Sequence, residues 1–262
     1  MSVMTMPVDA AASARRTLLV YRHSPGLLLS SLLVPVAMVG VFGYVFGSAI
    51  EVPGGGAYRE FLMPGLFALV ALNAVMPAMV GGARDAGRGV TDRLRSMSVS
   101  RLGLLTGQAL ADLLVAAAVL VPTALVGLAA GWRIRHGLGP ALGAFGLLLL
   151  FRFACGWVGT ALGLAVGKEE TAGQLGALTI PFGMLTSAFV PTGGMPGWLA
   201  ALAEWNPVSA VAEAGRQLFG NPSAPGGGWP AQHPLAAALG WCALLIALAA
   251  PLAVRNFARS GR

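Results

Sequence analysis

Long apolar runs separated by short polar connectors dominate this chain, and no strand-like alternation competes with them. A helix needs ~20 apolar residues to cross ~30 Å of hydrocarbon. Six stretches meet or approach that length, at about residues 27–50, 61–82, 104–131, 140–167, 172–192 and 235–254. Asn73 and Pro77 interrupt the second and Pro122 softens the third. Such breaks are tolerated in a span when a neighbouring helix supplies hydrogen-bond partners. A secretory signal would have a shorter core of ~7–15 residues and an Ala-x-Ala site; the first run lacks that site, so cleavage is not expected.

The polar connectors divide the chain further. Residues 1–26 carry Arg15, Arg16, Arg22 and His23 at seven-residue intervals, which suits either an interfacial helix on an anionic leaflet or a charged flank of the first span. Residues 27–254 form one six-span transmembrane domain, and residues 255–262 are a basic tail. The fold class expected is therefore all-α integral membrane. After the fifth run, which breaks at Pro191-Thr192-Gly193-Gly194, comes a short apolar piece at 198–202. Asn206-Pro207 then reads as an N-cap with proline at the first helical position. A second short helix should run over 207–219 and stop at Gly220-Asn221-Pro222. Neither piece can span a bilayer, so the pair is expected as a hairpin in or near one interface.

Composition and charge sharpen this picture. Of 262 residues, 56% are hydrophobic and 10% charged, far below the quarter charged in a typical soluble domain. The net charge of +7 sits in connectors between spans and not in one basic patch, which argues against nucleic acid as a partner. With the N-terminus inside, twelve Lys/Arg become cytoplasmic and four (Arg59, Arg133, Arg135 and Arg216) lie outside. The positive-inside rule therefore places both termini in the cytoplasm and the hairpin on the outer side. Cys155 and Cys242 lie inside apolar runs and read as small apolar side chains.

The chemistry-bearing residues are few. Gly163 to Lys168 is one residue short of a P-loop and lacks its hydroxyl, so no nucleotide site is expected. His23, His136 and His233 lie at span edges or in connectors, and no span holds paired carboxylates, which disfavours an intramembrane enzyme. Residues 84–101 form the most charged connector, and 91–99 read as a short helix offering Leu94 and Met97 to a groove and Arg93 and Arg95 to acidic rims. An ordinary positive-inside loop is the plainer alternative. Arg152 lies near the middle of its span and should face protein or water. Asp112 is the nearest acidic candidate, but a depth offset of roughly 10 Å argues against a direct bond. Arg152 can line a path, tie helices together or snorkel to a headgroup. In the hairpin, Glu204 and Glu213 can each line an outer gate or be solvated, and solvation is the favoured reading for Glu213. Gly159, Gly163 and Gly167 recur every four residues, a weak sign of a close-packing face in so glycine-rich a chain.

Three separated pieces carry a family resemblance: Ala188-Phe189-Val190-Pro191, Met195-Pro196-Gly197-Trp198-Leu199 and Leu202-Ala203-Glu204-Trp205-Asn206-Pro207-Val208. In this order and spacing they resemble the end of the ABC-2 type transporter permeases, closest to the daunorubicin-resistance branch. Asp92-Arg93-Leu94 followed by residues 96–101 is similar to the Glu-Arg-Leu-x-x-x-Pro-Val-Ser-Arg stretch of that family, with Asp92 in place of Glu and Ser98 in place of Pro.

The resemblance implies a bacterial cytoplasmic-membrane exporter of an amphipathic drug, antibiotic or lipid. It implies two copies of a separate ATPase that binds the ATP and Mg, and a second permease as homo- or heterodimer partner, all among membrane lipids. This chain would bind no cofactor and do no catalysis itself. Asp92, Arg93, Leu94, Arg95, Met97 and Arg101 would couple to the ATPase. Arg152, Asp112 and Asn73 would line the path or tie helices, and Phe189, Pro191, Trp198, Glu204, Asn206 and Pro207 would form the outer gate. Export of a lipid-linked glycan and a non-transporting membrane scaffold or sensor are the alternatives.

Overall fold

The computed structural model describes residues 25–45, 47, 50, 52, 55–87, 101–223 and 226–259. Among them the regular structure is entirely helical. The elements in order are α1 (Pro25–Gly40), extended by a π turn at Val41–Val45, α2 (Tyr58–Leu72), α3 (Val75–Gly87), α4 (Arg101–Ala129) and α5 (Leu138–Val166). They continue as α6 (Glu169–Gly176), α7 (Thr179–Met184), α8 (Gly197–Trp205), α9 (Pro207–Phe219), α10 (Trp229–Gln232) and α11 (Pro234–Arg259).

Four helices among the described residues are long and apolar enough to cross a membrane: Tyr58–Gly87, Asp112–Ala129, Leu138–Val166 and Pro234–Phe257. They correspond to the second, third, fourth and sixth expected spans. The run expected at 27–50 is α1 and its π turn, and the one expected at 172–192 is two short helices. Their local chemistry explains the second case. Pro181 has no N–H to return to the Ala177 carbonyl. The chain tightens there instead, with Leu178 N–H on Leu175 O at 3.1 Å and Ile180 N–H on Ala177 O at 3.0 Å. Thr179 Oγ1 donates to Gly176 O at 2.7 Å, so the kink between α6 and α7 carries its own polar partners.

A similar break divides α2 from α3. Pro77 cannot serve the Asn73 carbonyl, and Ala74 N–H turns to Ala71 O instead of Val70 O. The helix resumes at Val75 after two residues of turn. Pro122, by contrast, leaves α4 continuous, with Thr123 Oγ1 donating to Val119 O at 2.8 Å.

Lipid tails are as apolar as leucine, so helices associate in a membrane through close packing and polar ties. The glycine face supplies the first. A Cβ on Gly159 would strike the Val75 carbonyl and Ala78, one on Gly163 the Met79 carbonyl and Ala83 nitrogen, and one on Gly82 the Thr160 carbonyl. The Gly159 and Gly163 part of the spacing weakly signalled in the sequence is thus a backbone-to-backbone contact between α3 and α5, whereas Gly167 is the left-handed cap of α5, with nothing within 4 Å of an added methyl. On the far side of α5, Trp157, Ala161 and Leu164 pack with Ala249, Ala253 and Phe257 of α11.

One end of the bundle is built around Phe67, Trp132, Phe145 and Phe219, whose rings meet at 5.0–6.1 Å between centroids. The opposite end holds an exposed ion pair, Arg84 to Glu169, at 3.1 Å.

Gly163→Val and Gly159→Val are expected to destabilise the protein by about 1–3 kcal/mol through overpacking, read as a lower midpoint in detergent-solubilised thermal unfolding. Gly146→Ala, where an added methyl meets open space, is expected to leave the midpoint unchanged or raise it.

Candidate functional site: a buried latch and an intramembrane ion pair

The second helix of the hairpin, α9, folds into the bundle, whereas α8 before it buries only Ala203. Asn206 sets this up locally. Its backbone is extended (φ −69°, ψ 129°) and its Oδ1 accepts the Val208 N–H at 2.9 Å, an N-cap with Pro207 at the first helical position. The same side chain donates from Nδ2 to the carbonyls of Phe182 at 3.2 Å and Leu185 at 3.0 Å. One amide therefore starts α9 and closes the end of α7. At the other end, Gly220 adopts φ 73°, the left-handed turn that glycine takes at no steric cost.

Small residues on α9, among them Ser209, Ala210, Ala212, Ala214 and Gly215, let it pack among α2, α5 and α11 with most of its length buried. This brings Arg216 to complete burial. Its Nε donates to Phe61 O at 3.0 Å, Nη1 to Glu213 Oε2 at 2.9 Å, and Nη2 to Ser187 O at 2.9 Å and Ala188 O at 3.2 Å. The guanidinium lies 3.6 Å from the Phe61 ring centroid. Ser187 N–H donates to Ser209 Oγ at 2.9 Å, and Tyr58 Oη donates to Phe189 O at 2.8 Å. The irregular turn at 185–190 thus has backbone groups tied to α2 and α9. A Cβ on Gly65 would collide with the Ala188 backbone, so α2 and the turn touch directly.

The expected outer-gate residues come together around this latch, with one exception. Phe189 is buried and stacks on Phe42 at 4.4 Å. Pro191 is buried. Glu204 accepts from Thr192 Oγ1 at 3.3 Å and from Gly228 N–H at 2.8 Å, tying the start of the hairpin to the chain that leaves it. Glu204 and Glu213 also border a polar cavity of about 10 Å³ shared with Ser187, Thr192 and Ser209, close to the minimum volume for one water. Trp198 stands apart, 69% exposed.

Two expectations are overturned here. Glu213 is buried at 5% exposure, paired with Arg216 and accepting from Ser223 Oγ. Arg216 is a core residue and not an outer-loop cation. The charge pattern misleads because a Glu and an Arg three apart on a helix normally mark a wet face; the small residues flanking them were the available sign of burial.

Beside the latch, the connector after α4 clamps the end of α9. Trp132 Nε1 donates to Asn221 Oδ1 at 2.7 Å, Asn221 Nδ2 to Arg133 O at 2.8 Å, and Arg135 N–H to Phe219 O at 2.8 Å. Arg135 also pairs with Glu60 at 2.8 Å. That hydrogen-bonded carboxylate holds the Arg135 guanidinium above its ordinary pKa, chiefly through the bond itself.

The second arginine sits inside the spans. Arg152 is nearly buried, and its Nη2 lies 3.6 Å from Asp112 Oδ2. The expected separation of this pair is also overturned. The helix that carries Asp112 starts at Arg101 and not at 104, which puts Asp112 three residues further along it than expected. At 1.5 Å per residue the two positions then differ by roughly 5 Å in depth, within reach of these side chains. Arg152 Nη1 donates to Val70 O at 3.2 Å. That carbonyl is the one left unserved when Ala74 turns to Ala71. Arg152 thus splices the break in the second span and joins α5 to α2 and α4. Its Nε has no hydrogen-bond partner among the described residues. Asn73 lies at this break and is exposed. Of the coupling candidates, Arg101 heads α4, and Asp92, Arg93, Leu94, Arg95 and Met97 lie outside the described residues.

Arg216→Met leaves Glu213 buried without its partner and is expected to cost about 3–5 kcal/mol. The double change with Glu213→Leu should recover part of that loss. Equal destabilisation by the single and double variants in thermal unfolding would mean that the carbonyl contacts, and not the ion pair, dominate.

Comparison with known proteins places this architecture. Residues 10–219 match the family described as ABC-2 type transporter. A similar protein is the daunorubicin resistance ABC transporter permease protein DrrB1 of Streptomyces coeruleorubidus, 29% identical over 243 residues that cover 92% of this chain and 83% of the relative. The matched segment takes in the glycine interface, the Arg152 splice and the Asn206–Arg216 latch. The chain belongs to the ABC-2 type transporter family and is a non-catalytic, multi-pass transmembrane permease subunit of an ABC transporter.

Proposed function

We propose that this permease exports an amphipathic compound, drug-like or lipid-like, across a bacterial cytoplasmic membrane, working as a dimer of permeases with two copies of a separate ATPase. Family membership implies the ATPase partner, and ATP and Mg are assigned to that chain. The name of the relative, a daunorubicin resistance permease, favours a drug-like substrate. In this reading α1 with its π turn and the kinked α6–α7 segment complete six spans. Both termini and the Arg84–Glu169 end face the cytoplasm, and the latch faces out. Asp92 to Arg101 dock on the ATPase.

One observation carries the transport reading: two helix breaks lie side by side on an exposed apolar face. Asn73 and Pro77 of the second span are exposed, as are Ala177 and Leu178 at the α6–α7 kink. Met76 packs on Gly176, and Leu69 lies against Gly183, so the two breaks share one level. Irregular backbone at membrane depth is stable only against protein or water. Around it Leu178, Ile180, Phe182 and Met184 are 43–69% exposed. A second permease across an amphipathic passage would satisfy both the polar breaks and the apolar surround. ATP-driven movement of the 84–101 connector, expected from its sequence to carry a short helix over 91–99, would open this passage inward. The latch, which joins the outer ends of α2, α7 and α9, would move as one body to release substrate.

Three measurements check these assignments. Tagged permease purified from its native membrane in mild detergent should bring down a P-loop ATPase, and Asp92→Ala with Arg93→Ala should lower the yield of that ATPase about tenfold without lowering membrane insertion. Normal co-purification and transport by the double variant would reject the docking assignment of residues 92–101. In a background with Cys155 and Cys242 replaced by Ala, Asn73→Cys should react with a membrane-impermeant thiol reagent in inside-out vesicles, and substrate should protect it. Absence of labelling in both nucleotide-free and ATP-trapped states would sink the passage. Arg152→Ala should reduce transport more than it reduces the amount of protein in the membrane; an equal fall in both would confine Arg152 to its splicing role.

A further inference from the structure

At the latch end of the bundle, a cavity of about 800 Å³ opens between the π turn after α1, the start of α2 and the residues that follow α4. Its walls include Tyr44, Tyr58, Arg59, Ala57 and Ala130. Arg59 is the one charged side chain among the described lining residues. It is held in place by Nε on Gly43 O at 3.1 Å and Nη1 on Ala130 O at 3.1 Å, and its guanidinium stands 4.0 Å from the Tyr44 ring centroid. These partners are carbonyls and a ring, so the positive charge is positioned but not neutralised by them. The contrast with its neighbours is informative. Arg135 and Arg216 each have a carboxylate within 3 Å. Ala57 heads α2 with no side-chain cap and lines the same space, and the carboxylate in that helix's first turn, Glu60, is engaged by Arg135.

We propose that this cavity binds the phosphate-bearing headgroup of an anionic amphiphile. Arg guanidinium paired with phosphate is a strong, geometrically specific contact. The level of the cavity fits a lipid: it lies where Tyr58–Gly87 begins and where α4 ends, and tyrosines concentrate at the headgroup level of membrane proteins. The surface at its mouth fits acyl chains, since Val41, Tyr44 and Val45 are 45–67% exposed. Tyr58 links the site to the latch, because its hydroxyl is the donor to Phe189 O. A bound headgroup would therefore touch the element that positions the turn at 185–190. Phospholipid from the leaflet and free phosphate share this chemistry, and the exposed apolar mouth favours the lipid.

The test uses full-length permease and native mass spectrometry after incubation with equal amounts of phosphatidylglycerol and phosphatidylcholine. Wild type should retain phosphatidylglycerol preferentially. Arg59→Gln should lower that retention about tenfold, the scale of one lost charge-assisted hydrogen bond. Because Arg59 also ties three elements together, Ala57→Asp serves as the second variant. It puts a carboxylate into the cavity while supplying a favourable N-cap, so retention should fall although the fold keeps or gains thermal stability. Arg133→Gln, which removes an exposed cation at the same end but outside the cavity, should retain lipid like wild type. Equal retention of both lipids by wild type, an unchanged Ala57→Asp variant, or an equal loss in Arg133→Gln would each overturn the site. Displacement of phosphatidylglycerol by millimolar inorganic phosphate would keep the anion site and overturn its lipid source.

Discussion

A guanidinium with no exposure to solvent must find every hydrogen bond inside the protein, and Arg216 finds four oxygens on three different parts of the chain. Burying it without those partners would be prohibitive. Its burial therefore requires α9 to enter the bundle, the turn at 187–188 to present its carbonyls, and α2 to stand alongside. Asn206 makes the entry possible by ending α7 and starting α9 with one side chain. The Asn-Pro and Phe-x-Pro pieces that carry the resemblance in sequence thus lie at one network. Their spacing is intelligible as the chain length needed to bring both ends to Arg216 and Asn206.

Arg152 follows the same logic at membrane depth. Helix breaks at proline free backbone carbonyls, and in hydrocarbon each free group costs several kcal/mol. Arg152 serves one of those carbonyls and is balanced by Asp112. Among the irregular places in the described residues, the 185–190 turn and the 73–74 break each have a buried arginine as donor. Between them α2 runs as a regular helix, so the two places are mechanically connected. A subunit that must change shape needs interruptions of this kind, and it needs them to be stable in each state. The rigid counterpart is the α3–α5 glycine contact, where backbones touch and no side chain can rearrange.

Much of the architecture was legible because the membrane imposes it. Apolar length alone located the long helices, within a few residues at most ends, since few other structures satisfy backbone groups in lipid. The local chemistry of Asn206, Pro207 and Gly220 predicted both limits of α9. The expected span at 172–192 was the weakest of these expectations in detail. Its apolar residues carry no sign of where a kink falls, and Pro181 acts four residues upstream of itself. Of the residues expected at an outer gate, Phe189, Pro191, Glu204, Asn206 and Pro207 lie around the latch, whereas Trp198 stands exposed away from it. Glu213 and Arg216 were expected in solvent because periodicity describes a helix face without saying what covers it.

The sequence by itself determined which segments are apolar enough to cross a membrane, that it carries no P-loop pattern, and where the short helix α9 begins and ends. These depend on composition and on contacts within a few residues. Only the tertiary structure decided which charges pair. Arg152 meets Asp112 and Val70, Arg216 meets Phe61 and Ser187, and Arg135 meets Glu60, all across long stretches of chain. The sign and reach of a charge are written in its residue type. Its partner depends on helix register, crossing geometry and the few places where small residues let backbones come close, and those are properties of the packed bundle.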